Sequence, residues 1–198
     1  SLDAIDFTSL GGVEVVKGNL SSLYPNSPGG VVNFLSDMNF SKNFVKLTAI
    51  AGEYNLFQGG LRAGITNESS KLFISHTYKS YKGFRPHGAE YLHLLNINYR
   101  MLPGKNSVFT LYGNYNRGLM RFPGALTQSE FNIDPYQAYF LSVSSDIKRI
   151  SQKGRLGLKY SVNWGRLNKN EIELVYYYVV GDIKYNKNTL YYIKKKYR

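Results

Sequence analysis

The chain has 198 residues, no cysteine and a formal net charge of +12. This length suffices for one domain with a hydrophobic core, and the absence of cysteine excludes disulfide frameworks and thiolate metal sites. The positive charge favours an anionic partner such as nucleic acid, lipid headgroups or an anionic small ligand, although a compositional bias towards lysine would give the same charge.

The first 40 residues combine short β-branched runs with glycines. Val13-Glu14-Val15-Val16-Lys17-Gly18 predicts a strand that ends in a turn, and Gly29-Gly30-Val31-Val32-Asn33-Phe34 predicts a second strand. Ser22-Leu23-Tyr24 lies between them. Glycine permits sharp turns and close backbone approach, and β-branched residues pair well in a sheet. We therefore expect residues 1–36 to form a compact segment apart from the later strands.

After Asp37 the dominant pattern is the alternation of apolar and polar residues. Between Arg155 and Trp164 the even positions are apolar or aromatic, namely Leu156, Leu158, Tyr160, Val162 and Trp164. The odd positions are polar or glycine, namely Arg155, Gly157, Lys159, Ser161 and Asn163. The same alternation recurs in residues 57–66, 71–79, 91–100 and 172–180, with further strands over 44–53 and 108–117. Together these segments predict about seven strands, each with an apolar and a wet face.

The lengths of the connections alternate. Residues 67–70, 103–106 and 168–170 predict tight polar turns, whereas Tyr81–Glu90 and Gly118–Ser151 are long. In an antiparallel meander alternate connections share one end, so the long loops should lie together, with Tyr54-Asn55 as a short connection at that end. Outer-membrane barrels have this asymmetry, strands of about 10 residues and aromatic girdles. A soluble antiparallel barrel or sandwich has the same periodicity and stays an alternative.

The opening motifs resemble the end of the plug domain in TonB-dependent outer-membrane receptors. The residues that match in order and spacing are Glu14, Lys17, Gly18, Tyr24, Gly29, Gly30 and Asn33. Asn19 and Pro25 depart from the pattern, because the family often has proline at the first position and glycine at the second. The resemblance implies an all-β chain with two parts. Residues 1–36 would be the end of the plug, and residues 37–198 the first strands of a transmembrane β-barrel.

Two later segments are similar to outer loops of this family, and the second of them resembles the branch that takes up ferric citrate and ferric siderophores. Gly83-Phe84-Arg85 is the first, and Arg121–Ala138, with Pro123-Gly124-Ala125-Leu126, is the second. The resemblance implies active uptake of an anionic iron chelate at the cell outer membrane. It also implies contact with outer-membrane lipid and lipopolysaccharide, and a plug that is driven by the inner-membrane TonB complex. The loop residues that we expect to meet the chelate are Arg85, His87, Arg121 and Tyr136.

We find no catalytic residue set, no metal site and no cofactor motif in the sequence. The aspartates and glutamates are scattered, and we expect His76 and His93 to be structural residues of the apolar side. The tail Lys194-Lys195-Lys196 lacks any nucleic-acid-binding motif, so we expect no nucleic-acid partner. About seven strands against the 22 of the family predict a fragment that does not transport alone. The alternative function is a non-transporting β-barrel, or a soluble β module that presents ligand-binding loops.

Overall fold

The computed structural model describes residue 6 and residues 9–18, 29–164 and 170–185. In the last of these ranges it describes the side chains of Tyr176, Tyr178 and Val180. The strands are β1 Leu10–Lys17, β2 Gly30–Ser36, β3 Phe44–Gly52, β4 Leu56–Thr66, β5 Ser70–Tyr81, β6 Glu90–Gly104, β7 Ser107–Arg121, β8 Lys148–Trp164 and β9 Asn170–Tyr185. Two short helices, α1 Gln128–Ile133 and α2 Phe140–Ser144, separate β7 from β8. None of the described helices is long and apolar enough to cross a membrane.

The strands form two antiparallel sheets. β1 pairs with β2 alone, and β3 to β9 form a seven-stranded meander in chain order. The chain is therefore all-β with the architecture of an open part of a barrel, and the sequence correctly predicted seven strands in the main sheet. Val31–Phe34 pairs with β1 and not with the meander, as expected from the glycines before it.

The small sheet shows why the glycines and polar residues of the motif stand where they do. Gly30 has a φ of 125° and lies opposite Lys17, and a side chain there would collide with the carbonyl oxygen of Val16. Gly18 also has a positive φ, of 107°. Asn33 lies opposite Glu14 and donates a hydrogen bond from Nδ2 to its Oε2 over 3.1 Å. The motif residue Tyr24 lies outside the described residues.

The two faces of the large sheet differ in an unusual way. The apolar face is the exposed one, and it carries Val45 and Leu47, which are 72% and 77% exposed. Other exposed members of this face are Leu61, Ile65, Ile74, Leu95, Tyr115, Leu156, Tyr160, Trp164, Tyr176, Tyr178 and Val180. The polar face is the covered one, with Ser75 fully buried and Thr77, Asn116 and Ser161 nearly so. This arrangement is the reverse of a water-soluble sheet, which buries its apolar side.

The N-terminal segment contacts the polar face. Oδ2 of Asp6 lies 3.3 Å from the hydroxyl of Ser75, and Asn96 donates to the hydroxyls of Ser75 and Ser9 over 3.1 and 3.5 Å. Arg62 forms an ion pair with Asp37 at 2.6 Å.

Arg62 also packs against Phe73, a buried apolar residue on the polar face. Its guanidinium lies 5.6 Å from the ring centre of Phe73, and Phe73 is completely buried. Phe73 breaks the alternation of its strand, and the side chain of Arg62 on the neighbouring strand β4 contributes to its burial.

The connections lie as the alternation of their lengths predicts. The amide of Lys82 donates to the carbonyl oxygen of Tyr54 over 3.0 Å, which places residues 53–55 beside residues 82–89. At the opposite end the amide of Leu102 donates to the carbonyl oxygen of Ser69 over 2.8 Å. Tyr54 and Asn55 both have a φ of 55°, the conformation of a type I′ hairpin turn. The predicted turn at 168–170 lies mostly outside the described residues.

One predicted boundary was wrong. The loop expected at Gly118–Ser151 is shorter, because β7 continues to Arg121 and β8 begins at Lys148. Gly118 pairs with Ser151, and the ladder continues to the Arg121–Lys148 pair. A glycine does not end a strand when both neighbouring strands supply hydrogen-bond partners, so the ladder overrides the local signal.

Candidate functional site

The candidate site lies where the two longer connections meet, which we call the loop end of the sheet. It consists of residues 82–89, between β5 and β6, and residues 122–147, between β7 and β8. The amide of Arg121 donates to the carbonyl oxygen of Ala89 over 2.9 Å. The amide of Phe122 donates to the carbonyl oxygen of Ile147 over 3.1 Å. Backbone hydrogen bonds therefore hold both connections against the ends of the strands.

Residues 82–89 form a tightly closed loop. Gly83 has a φ of 89°, and a side chain there would lie 2.7 Å from the carbonyl oxygen of Gly88. His87 has a φ of 58°, an uncommon conformation for a residue other than glycine. This closure turns Arg85 and His87 towards residues 122–147, which both of them contact.

Residues 122–147 are ordered by local hydrogen bonds. Thr127 caps α1, and Glu130 returns the bond by accepting from the backbone amide of Thr127 over 2.7 Å. Hydrogen bonds from the backbone and then the hydroxyl of Thr127 lower the pKa of Glu130. The side-chain amide of Gln137 donates to the carbonyl oxygen of Glu130 over 2.7 Å. The backbone amide of Tyr139 donates to the carbonyl oxygen of Pro123, also over 2.7 Å. The long connection is thus a folded unit that presents its side chains in fixed places.

A carboxylate holds three cationic or titratable side chains at the base of this unit. Asp146 has a φ of 46° and accepts a hydrogen bond from Nε of Arg121 over 3.0 Å. It also accepts from Nζ of Lys148, and Nε2 of His87 lies 3.8 Å from its Oδ1. The hydrogen bond from Lys148, followed by that from Arg121, lowers the pKa of Asp146 to about 2. We call these residues the Asp146 cluster.

Arg85 ties the short loop to the long one. Its Nε donates to the carbonyl oxygen of Gln137 over 2.8 Å. Its Nη2 is buried and has no hydrogen-bond partner among the described residues. The neighbouring Tyr136 is exposed, and its backbone amide donates to the carboxylate of Asp134 over 2.8 Å.

The structure therefore brings together the four residues that the sequence singled out, although in different states. His87 and Arg121 meet in the Asp146 cluster, and Nε2 of His87 also lies 3.0 Å from the carbonyl oxygen of Ile147. Arg85 bonds to the carbonyl oxygen of Gln137, and Tyr136 is the residue before Gln137 in the chain. Sequence reasoning missed Asp146 and Lys148. The available signal was a lone acidic residue immediately before a basic strand, which does not reveal its distant partners Arg121 and His87.

The polar face below the loop end is strongly basic. By register, strands β3 to β8 place one acidic residue on it, Glu90, which pairs with Lys79 at 2.8 Å. The basic residues that share this face are Lys46, Arg62, Lys71, Lys79, Arg100, Arg149, Lys153, Arg155 and Lys159. Such a face favours anions. Within the described part of the chain no group of three or more His, Asp or Glu side chains could hold a metal ion.

Comparisons with known proteins give a fold and no family. No family model matches the sequence. Among solved structures the chain is similar to the ferric citrate transporter FecA in its unliganded form, with a TM-score of 0.75 and 16% identity. The match covers 92% of this chain and 28% of that transporter. The chain thus spans less than a third of the transporter's length, and it has the fold of the corresponding part of that structure.

Proposed function

We propose that this chain is part of an outer-membrane TonB-dependent receptor that takes up an iron chelate, ferric citrate or a ferric siderophore. The observation that carries the proposal is the exposure of the apolar face of the seven-stranded sheet. Contiguous apolar patches of this size are rare on soluble monomers. In an outer-membrane barrel the apolar face contacts the lipid hydrocarbon and the polar face lines the interior, so both faces are in a favourable environment.

The charge of the polar face supports an anionic chelate as the cargo. Ferric citrate and ferric siderophores carry negative charge, and the polar face of β3 to β8 carries nine basic side chains against one acidic one. Arginine is well suited to carboxylates, because its guanidinium can donate two parallel hydrogen bonds. In this proposal the loop end receives the chelate and the basic face attracts it inward. The role is transport and not catalysis.

The small sheet supports the coupling part of the proposal. Among the described residues, the N-terminal segment contacts the polar face through the bonds of Asp6 with Ser75 and of Ser9 with Asn96, and the Asp37–Arg62 ion pair follows directly after the segment. In the proposed receptor this segment is the end of a plug that closes the barrel. A pull from the inner-membrane TonB complex has to break such contacts before the chelate can pass.

Fractionation of cells that produce the protein tests the membrane part. We expect the protein in the outer-membrane fraction, released by detergent and not by high salt or alkaline carbonate. A soluble loop-presenting module, the second candidate, would stay in the supernatant without detergent. Binding of iron-labelled ferric citrate to the extracted protein then tests the cargo, with uncharged sugar as the control ligand. Membrane association without binding of any ferric chelate would favour a non-transporting barrel.

A further inference from the structure

Two histidines lie together on the apolar face, outside the candidate site. His76 on β5 and His93 on β6 are diagonal neighbours across the sheet, since His76 pairs with Leu95 and His93 with Tyr78. Nδ1 of His93 lies 3.4 Å from Nε2 of His76. The ring centres are 5.6 Å apart and the planes are inclined by 26°. Their neighbours on this face include Leu95, Tyr78 and the cationic Arg117, so the face offers the pair no carboxylate among the described side chains.

We propose that His76 and His93 form a two-histidine site for a divalent transition-metal ion, with Zn²⁺ as the best match. Neutral imidazole nitrogen is a common ligand of Zn²⁺, Cu²⁺ and Ni²⁺. Zinc bonds of about 2.0–2.1 Å in a tetrahedral arrangement place two ligand nitrogens roughly 3.3–3.4 Å apart. The nitrogens of His76 and His93 have this separation. Without metal, this distance between the two nitrogens fits a hydrogen bond in which the N–H of one ring donates to the nitrogen of the other ring.

The site is within reach of water at the loop end. His93 is exposed and lies three residues after Glu90, where β6 begins. Three residues of strand span about 10 Å, so the pair lies near the rim and not at the middle of the apolar face. Two protein ligands leave two tetrahedral positions, which water or an outside oxygen ligand would fill. Binding would join β5 to β6 on the outward face.

One neighbouring charge opposes metal binding and sharpens the test. Arg117 on β7 lies opposite His93 in the register and is exposed on the same face. A cation bound by His93 would be repelled by this guanidinium. Replacing Arg117 by glutamine should therefore strengthen the binding of zinc, whereas a role of the histidines in packing alone predicts no change.

The experiment is a titration of the full chain, folded in detergent micelles, with Zn²⁺ in competition with a chromophoric chelator. We expect one bound ion. Loss of a partner that only orients a metal ligand already lowers metal affinity by about tenfold or more, so His76→Gln and His93→Gln, which remove a ligand, should each lower the zinc affinity at least tenfold. The matched control is His87→Gln, which removes the third histidine of the chain. It should leave the zinc affinity unchanged, because His87 contacts Ile147 and Asp146 in the loops.

A second measurement separates metal binding from a loss of fold. Electron paramagnetic resonance of bound Cu²⁺ should show coupling to two imidazole nitrogens in the original chain and to one in each single variant, in samples with equal β-sheet circular dichroism. Zinc affinity that stays the same in His76→Gln and His93→Gln overturns the proposal. So does zinc affinity that is lost in His87→Gln to the same extent.

Discussion

Replacement of Leu156 by arginine should decide whether the apolar face lies in hydrocarbon. Leu156 is 41% exposed in the middle of β8, and Gln152 is exposed on the same face of the same strand, four residues nearer the loop end. Four residues of strand correspond to about 13 Å, or roughly 10 Å of depth at the usual tilt of barrel strands. The two positions differ in depth, and Gln152 also lies opposite Arg117 in the register, whereas Leu156 lies opposite Gly113.

The expected free energies follow from this difference in depth. In a bilayer, arginine costs about 2–4 kcal/mol at the midplane of a barrel's lipid face and about 0–1 kcal/mol near the interface. Leu156→Arg should therefore destabilise the folded protein by about 2 kcal/mol or more relative to Gln152→Arg. In a soluble module both side chains would be in water, and each substitution would change the free energy of unfolding by about 0.5 kcal/mol or less.

The assay is denaturant unfolding of the protein in lipid vesicles, followed by tryptophan fluorescence of Trp164, the chain's one tryptophan. A third variant, Lys159→Arg, exchanges one cation for another on the polar face and serves as the control. Equal stability of Leu156→Arg and Gln152→Arg would refute the membrane location of this face, and with it the observation that carries the proposed function.

Three further predictions concern the polar face and the loops. Removing one partner of the Asp37–Arg62 ion pair should release the N-terminal segment: Arg62 is 13% and Asp37 33% exposed, so we expect a cost between the ~0.2–1 kcal/mol of exposed pairs and the ~3–5 kcal/mol of buried ones. Asp37→Ala should destabilise more than Arg62→Met, because it leaves the more buried charge, that of Arg62, without its partner. Hydrogen exchange of residues 30–38 should be faster in both variants, and exchange equal to that of the original chain would contradict the prediction. Gly30→Ala should unpair β1 from β2, since its φ is 125° and Val16 blocks the space, whereas Gly12→Ala, with open space around it, is the control; limited proteolysis compares them. The pKa of Asp146 is lowered from 3.8 to about 2, so the ordering of residues 122–147 by its cluster should be complete above pH 3.8 and be lost as the pH falls through about 2. Hydrogen exchange of this segment at low pH measures the loss, and loss of order already at pH 5 would contradict the assignment.

The strands were predictable from the sequence because their signal is local. Alternation between Leu156 and Trp164 needs no partner to be read, and the lengths of the connections fix which of them share an end. The extent of β7 and β8 was not predictable, because the pairing of Gly118 with Ser151 depends on a residue 33 positions away. The direction of the apolar face also needed the structure, since periodicity is the same for a face turned inward or outward. The division at residue 36 and the ligand roles of Arg85, His87, Arg121 and Tyr136 stay predictions.

The Asp146 cluster changes which charges a chelate would meet first. Arg121 and Lys148 both bond to Asp146, and His87 lies beside it, so one carboxylate already offsets part of the positive charge at the loop end. Arg85 differs, because its Nη2 is buried without a hydrogen-bond partner among the described residues. An anionic ligand would therefore gain more from Arg85 and from the basic polar face than from Arg121. Asp146→Asn would remove the offset and should raise the affinity for ferric citrate at low salt, where charges are least screened. Arg85→Ala should lower it, and an unchanged affinity in Arg85→Ala would contradict a role of Arg85 in binding.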